Sequence, residues 1–286
     1  MEPASRDAIV IVAAGAGVIA ILASAAIERF GGRRGGALAT MPSTIVFASW
    51  GLYQVDQGEN FVKSMAAIPV GMLLSTGVLA IWRVLPHRLH ALSSASRLLV
   101  TTIFSIVIWI ACAVVIADVQ RATNPAPGAA SGAAVVWGVV ALLVTLAMGL
   151  LLSRQNIPAL KGHRRVPTSQ LLLRGAASAI ANGVALTIAA NGMPVFGGLV
   201  SAFPAIFLTT MIGTWIAQGH EVPIGAVAPM ILGATSVGLV ALLGIWLFPL
   251  MGPALGIVVC WLLAVSFVTA PLMYSMRRVT AISISP

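Results

Sequence analysis

Apolar residues run along this chain in long, nearly uninterrupted blocks, without the alternation of a half-buried strand or the single stripe of a soluble surface helix. Blocks of about 20 residues, the length that crosses roughly 30 Å of hydrocarbon, fall near 8–27, 35–55, 64–82, 98–117, 132–153, 171–190, 195–217, 223–247 and 252–275. Charges or Pro/Gly-rich turns separate them. Residues 175–219 and 222–276 carry no charge. Breaks there come from turn chemistry, at Asn191-Gly192-Met193-Pro194 and Pro249-Leu250-Met251-Gly252-Pro253. The pattern predicts an all-α transmembrane protein of about nine helices. The first block contains Ala23-Ser24-Ala25, which has the small-residue form of a cleavage site. Glu2, Arg6 and Asp7 precede the block, where a signal peptide would carry positive bias, so it reads as a retained span.

Composition agrees. Of 286 residues, 59% are hydrophobic and 8% charged, and the mean hydropathy is +1.02; a soluble domain carries about 25% charged residues. The net charge of +9 does not indicate nucleic acid, because the bases sit in short clusters between apolar blocks and no basic face with interleaved aromatics occurs. Thirteen Lys and Arg residues fall on one side of the nine-span arrangement and three on the other, the latter being Arg6, Lys63 and Arg121. By the positive-inside rule the N-terminus faces outside and the C-terminus the cytoplasm. Cys112 and Cys260 lie inside apolar blocks and read as packing residues. His87, His90, His163 and His220 are placed in loops, and no metal-ligand spacing, phosphate loop or nucleophile elbow is present. No cofactor and no enzymatic activity are expected.

The two halves resemble each other. Gly35-Gly36-Ala37-Leu38-Ala39-Thr40-Met41-Pro42-Ser43 pairs with Gly197-Gly198-Leu199-Val200-Ser201-Ala202-Phe203-Pro204-Ala205, with a proline six residues after the second glycine in both. The series continues through Gln57-Gly58 with Gln218-Gly219, Pro69 with Pro229, Ser75-Thr76-Gly77 with Ser236-Val237-Gly238, and Ile81-Trp82 with Ile245-Trp246, at an offset near 160 residues. Residues 1–120 then form membrane repeat one (spans 1–4), 121–165 a connector with span 5 and a cytoplasmic loop, and 166–286 repeat two (spans 6–9). An offset of five spans is odd, so the copies enter the membrane from opposite sides. Inverted repeats of this kind occur in secondary transporters, with substrate near the midplane at the repeat interface.

The run Pro194-Val195-Phe196-Gly197-Gly198-Leu199-Val200-Ser201-Ala202-Phe203-Pro204, followed by a polar break and two more apolar helices, resembles the GlpM-like family of small, roughly four-span bacterial membrane proteins. The resemblance covers each half separately and implies a fused, inverted pair in a bacterial cytoplasmic membrane. It implies a fold unit and no particular substrate. The first copy departs from the pattern with Arg33-Arg34 before its glycines.

Pro42 and Pro204 would each lie roughly 9 Å inside opposite faces at about 1.5 Å per residue, bracketing the midplane. A helix broken there frees a carbonyl and can aim N-terminal amides at an anion, with Ser43 and Thr44 beside it; the alternative is a simple kink satisfied by neighbouring helices. Asn182 is central in span 6 and must find a partner, by gluing helices together or by contacting substrate. Ser75, Thr76, Thr235, Ser236 and Ser201 are further candidate substrate-binding residues, or back-bond to their own helices. Coupling candidates are Glu28, which a local pair with Arg29 would also explain, and Arg174, which snorkelling would also explain. The expected function is a secondary transporter or permease for a small polar or anionic solute, embedded in the bilayer alone or as a homo-oligomer. The alternatives are a non-transporting membrane subunit of a cell-envelope assembly, or a channel.

Overall fold

The computed structural model describes residues 3–30, 42–123, 129–154, 167–219 and 221–271. Among them there is no strand. The helices are α1 (Pro3–Phe30), α2 (Ile45–Val55), α3 (Glu59–Arg88), α4 (Ser94–Thr123), α5 (Ala129–Arg154), α6 (Thr168–Ala190), α7 (Pro194–Ser201), α8 (Ala205–Gln218) and α9 (Glu221–Ala264), which continues as one π-turn, Val265–Thr269. Among the described residues six stretches are long and apolar enough to cross a membrane: Glu59–Arg88, Ser94–Ala122, Gly132–Arg154, Thr168–Ala190, Pro194–Ala217 and Pro223–Thr269. The outward faces of α4 and α5 fit that setting, with Leu99, Ile103, Val107, Val115, Val136, Trp137, Leu143 and Leu151 exposed.

The ends of the helices follow the turn chemistry. Asn191 and Gly192 close α6, with Gly192 at φ 78° and the Asn191 side chain donating to the Thr187 carbonyl at 2.6 Å, and Pro194 opens α7. Gly252, at φ 77°, is the single non-helical residue inside α9 and divides it into two helices. The sequence placed a break at that position. Helix α3 runs through Pro69 to Arg88, longer than its apolar block, so His87 lies in its last turn and not in a loop. His90 is in the following turn, whereas His163 and His220 fall outside the described residues. The first-copy Gly35-Gly36 pair falls outside them too.

α3 is the enclosed helix, with every residue from Ser64 to Gly71 buried. It packs on α5, α7 and α9, while α1 packs chiefly on α6. Small residues allow these approaches, since helices in an apolar solvent gain by close van der Waals contact rather than by burying area from water. Gly17 lies against the backbone of Gly175, and a methyl group on Gly198 would overlap the Ser64 carbonyl. Contact order gives the directions. Ala13 meets Gly183, Ala16 meets Ser178 and Ile21 meets Gly175, so α1 and α6 are antiparallel. Met65 meets Gly244 and Pro69 meets Gly238, so α3 and the first part of α9 are antiparallel as well. α7 runs parallel to α3, from Ser64 on the Pro194 carbonyl to Ser75 on that of Ala202. Two aromatic groups fill the ends of the bundle: Tyr53, Phe61 and Phe248, and the perpendicular pair Trp82 and Trp215.

Candidate functional site

The chain is interrupted before Pro204. Helix α7 ends at Ser201, Ala202-Phe203-Pro204 is not helical, and α8 begins at Ala205 with the buried Pro204 as its N-cap. Pro204 has no N–H to offer the preceding turn, so carbonyls near it need partners from elsewhere. Ser75 supplies one: its hydroxyl lies 2.8 Å from the Ala202 carbonyl and 2.9 Å from the Gly71 carbonyl of its own helix, a proton shared between two acceptors. Trp109 of α4 donates to the Ser75 oxygen at 3.3 Å, and its ring meets Phe203 edge-on at 5.0 Å. The break is therefore closed by protein groups from α3 and α4.

Pro42 is buried and Ser43 and Thr44 are half-buried, just before α2. Thr44 is the N-cap of α2 and makes no side-chain capping bond. The first-turn amides of α2 thus lack the usual hydroxyl partner. Whether a helix precedes Pro42 falls outside the described residues.

The other candidates separate into two groups. Ser201 donates to the Gly198 carbonyl at 2.7 Å, Ser236 to that of Gly233 at 2.7 Å, and Thr235 to that of Ile231 at 3.3 Å, which is back-bonding within their own helices. Thr76 is fully buried and its hydroxyl has no hydrogen-bond partner. Asn182, at 4% exposure, donates from Nδ2 to the Ser178 carbonyl at 2.9 Å, and its Oδ1 accepts no hydrogen bond among the described residues. Arg174 is 5% exposed and so is packed inside the bundle, not snorkelled to its edge. Glu28 lies in α1, and its side chain falls outside the described residues. Cys112 is half-buried and Cys260 buried, both free thiols. No group of three or more metal-ligating side chains occurs among the described residues.

Three residues of this region escaped the sequence reading. Trp109 and Phe203 act at the break, and no spacing announces a contact between α4 and α7. Ser178 was legible, because it falls one turn from both Arg174 and Asn182. No protein family, curated protein or solved structure matches this chain.

Proposed function

We propose that the chain is an integral membrane transporter or permease for a small polar or anionic solute, built of nine spans as two inverted four-helix repeats around a connector. Each repeat exchanges its open and closed form with the other, so that access to a midplane site alternates. In this reading α2 with the residues before it is span 2, α7 and α8 together are span 7, and α9 is divided at Gly252 into spans 8 and 9. The N-terminus faces outside and the C-terminus the cytoplasm, in a bacterial inner membrane.

The observation that carries the reading is the antiparallel packing of the helices that the repeat pairs. α1 and α6 are five spans apart in the nine-span count, as are α3 and the first part of α9, and an odd separation requires opposite directions across a bilayer. Both pairs meet near their middles, at Ala16–Ser178 and at Pro69–Gly238, as copies related by a two-fold axis in the membrane plane would. The helix break at Pro204 adds an interrupted helix of the kind at which transporter sites are built.

The test is uptake by proteoliposomes containing the purified chain, screened against a panel of small organic and inorganic anions. A transported solute should be taken up in a saturable manner, and Pro42→Ala and Asn182→Leu should lower uptake at least several-fold without preventing membrane insertion. Wild-type rates in both variants would remove these residues from the site, and no uptake across the panel would favour the non-transporting subunit.

A further inference from the structure

Helix α3 outlasts its apolar block. The block ends at Trp82, and the helix goes on through Arg83-Val84-Leu85-Pro86-His87-Arg88 before the turn to α4. From Ser64 to Trp82 is about 27 Å at 1.5 Å per residue, close to the roughly 30 Å of hydrocarbon, so in a bilayer the turns beyond Trp82 stand in the headgroup layer. Arg88 and His90 are exposed there. Arg97, one turn into α4, folds back over the same connection, with its Nη2 donating to the His90 and Leu92 carbonyls at 3.3 Å each. Both acceptors are neutral, so they hold the guanidinium in place without cancelling its charge. Ser93 caps α4 by accepting from the Ser96 N–H at 3.2 Å, which fixes the connection from its other side.

The charge of this corner is one-sided. No Asp or Glu occurs between Glu59 and Asp118, so α3 beyond its first residue and α4 before its last two turns carry no acid. The acids on helices that reach this end of the bundle are Glu28 of α1 and Glu221 at the start of α9. Toward the midplane from Arg97, α4 turns apolar side chains outward, with Leu99, Val100, Ile103 and Phe104 all exposed. A short stretch of α4 thus joins a fixed cation in the headgroup layer to a bare apolar surface in the hydrocarbon.

We propose that the α3–α4 corner is a binding site for an anionic phospholipid, with the headgroup phosphate between Arg88 and Arg97 and the acyl chains along Leu99, Ile103 and Phe104. A guanidinium takes two phosphate oxygens at once, and arginines at the membrane boundary attract anionic headgroups. A small soluble anion would use the cations alone; the apolar surface continuous with them fits a lipid. The proposal depends on the helices lying in a bilayer and not on what the chain transports.

Native mass spectrometry of the purified full chain in detergent, with dioleoyl phosphatidylglycerol or dioleoyl phosphatidylcholine added, gives the affinity for the first lipid bound. Each arginine near an anionic headgroup is worth about fivefold in affinity, so the wild-type chain should prefer phosphatidylglycerol by about twenty-five-fold. Arg88→Gln should cut that preference about fivefold, and Arg88→Gln combined with Arg97→Gln should bring it close to one. Arg97→Lys should keep most of it. Arg121→Gln combined with Arg154→Gln removes two charges from other helix ends and should leave it unchanged. Equal wild-type affinity for the two lipids, equal losses in the two double variants, or displacement of the lipid by millimolar inorganic phosphate would overturn the proposal. If Arg97→Gln does not fold, Arg88→Gln and the wild-type preference decide. Lipid preference without solute uptake would uphold the site and defeat transport, and uptake without lipid preference would do the reverse.

Discussion

Replacing Ser75 by Ala removes the group that closes the break between α7 and α8. Its oxygen serves two interhelical contacts, to the Ala202 carbonyl at 2.8 Å and from Trp109 Nε1 at 3.3 Å. Interhelical hydrogen bonds within membranes average about 0.6 kcal/mol and reach about 1.7 kcal/mol. Two of them give roughly 1.2 kcal/mol at the average, and a carbonyl and an indole N–H left buried without this partner raise the cost toward about 2–3 kcal/mol. Ser201→Ala is the matched control, because that hydroxyl is bonded to the Gly198 carbonyl of its own helix; its expected cost is below about 0.5 kcal/mol. Unfolding of the purified variants by increasing SDS in mixed micelles, followed by circular dichroism, gives both values. A double-mutant cycle with Trp109→Phe should show a coupling of at least about 0.5 kcal/mol. Equal costs for Ser75→Ala and Ser201→Ala would refute the assignment of Ser75 as the partner of the break.

Three further outcomes are expected. Gly198→Ala drives a methyl group into the Ser64 backbone carbonyl and should destabilise by about 1–3 kcal/mol as overpacking, whereas Gly77→Ala meets nothing within 4 Å and should stabilise by up to about 1 kcal/mol through helix propensity; mixed-micelle unfolding ranks the two. Cys112, half-buried on α4, should react with a membrane-permeant maleimide well before the fully buried Cys260, and mass spectrometry of a time course gives the order. Thr44→Val should lower solute uptake by proteoliposomes several-fold, while Thr235→Val, whose hydroxyl back-bonds to Ile231, should leave it unchanged.

Where helices begin and end was largely legible in the sequence, because local chemistry sets it. The Asn191-Gly192 turn, the Gly252 break and the interruption before Pro204 all fall where the turn residues place them. The extension of α3 to Arg88 was missed because a polar, proline-containing last turn carries no apolar signal, although helical hydrogen bonding continues through it. The site was legible only in part. Asn182, Ser43 and Thr44 stood out as polar groups in apolar surroundings, but the direction in which Arg174 points depends on α1, and a single helix read alone favours snorkelling. The i, i+4, i+8 spacing joining Arg174, Ser178 and Asn182 was present in the sequence, and that this face is buried came from the packing of α1 on α6. The role of Ser75 was hidden for a different reason. Own-helix bonding and bonding to Ala202 leave the same residue in the same pattern, and only the parallel packing of α7 on α3 separates them.

The most direct test of the inverted arrangement is the sidedness of two equivalent turns. Gln57 and Gln218 are paired by the proposed repeat, each beside a glycine near the end of a short helix. Single cysteines at these positions, in a chain lacking Cys112 and Cys260, are labelled with a membrane-impermeant maleimide in intact cells and again after permeabilisation. The inverted repeat predicts that Gln57→Cys reacts from outside and Gln218→Cys only after permeabilisation. Labelling of both from the same side would contradict it and leave the transporter reading without its main support.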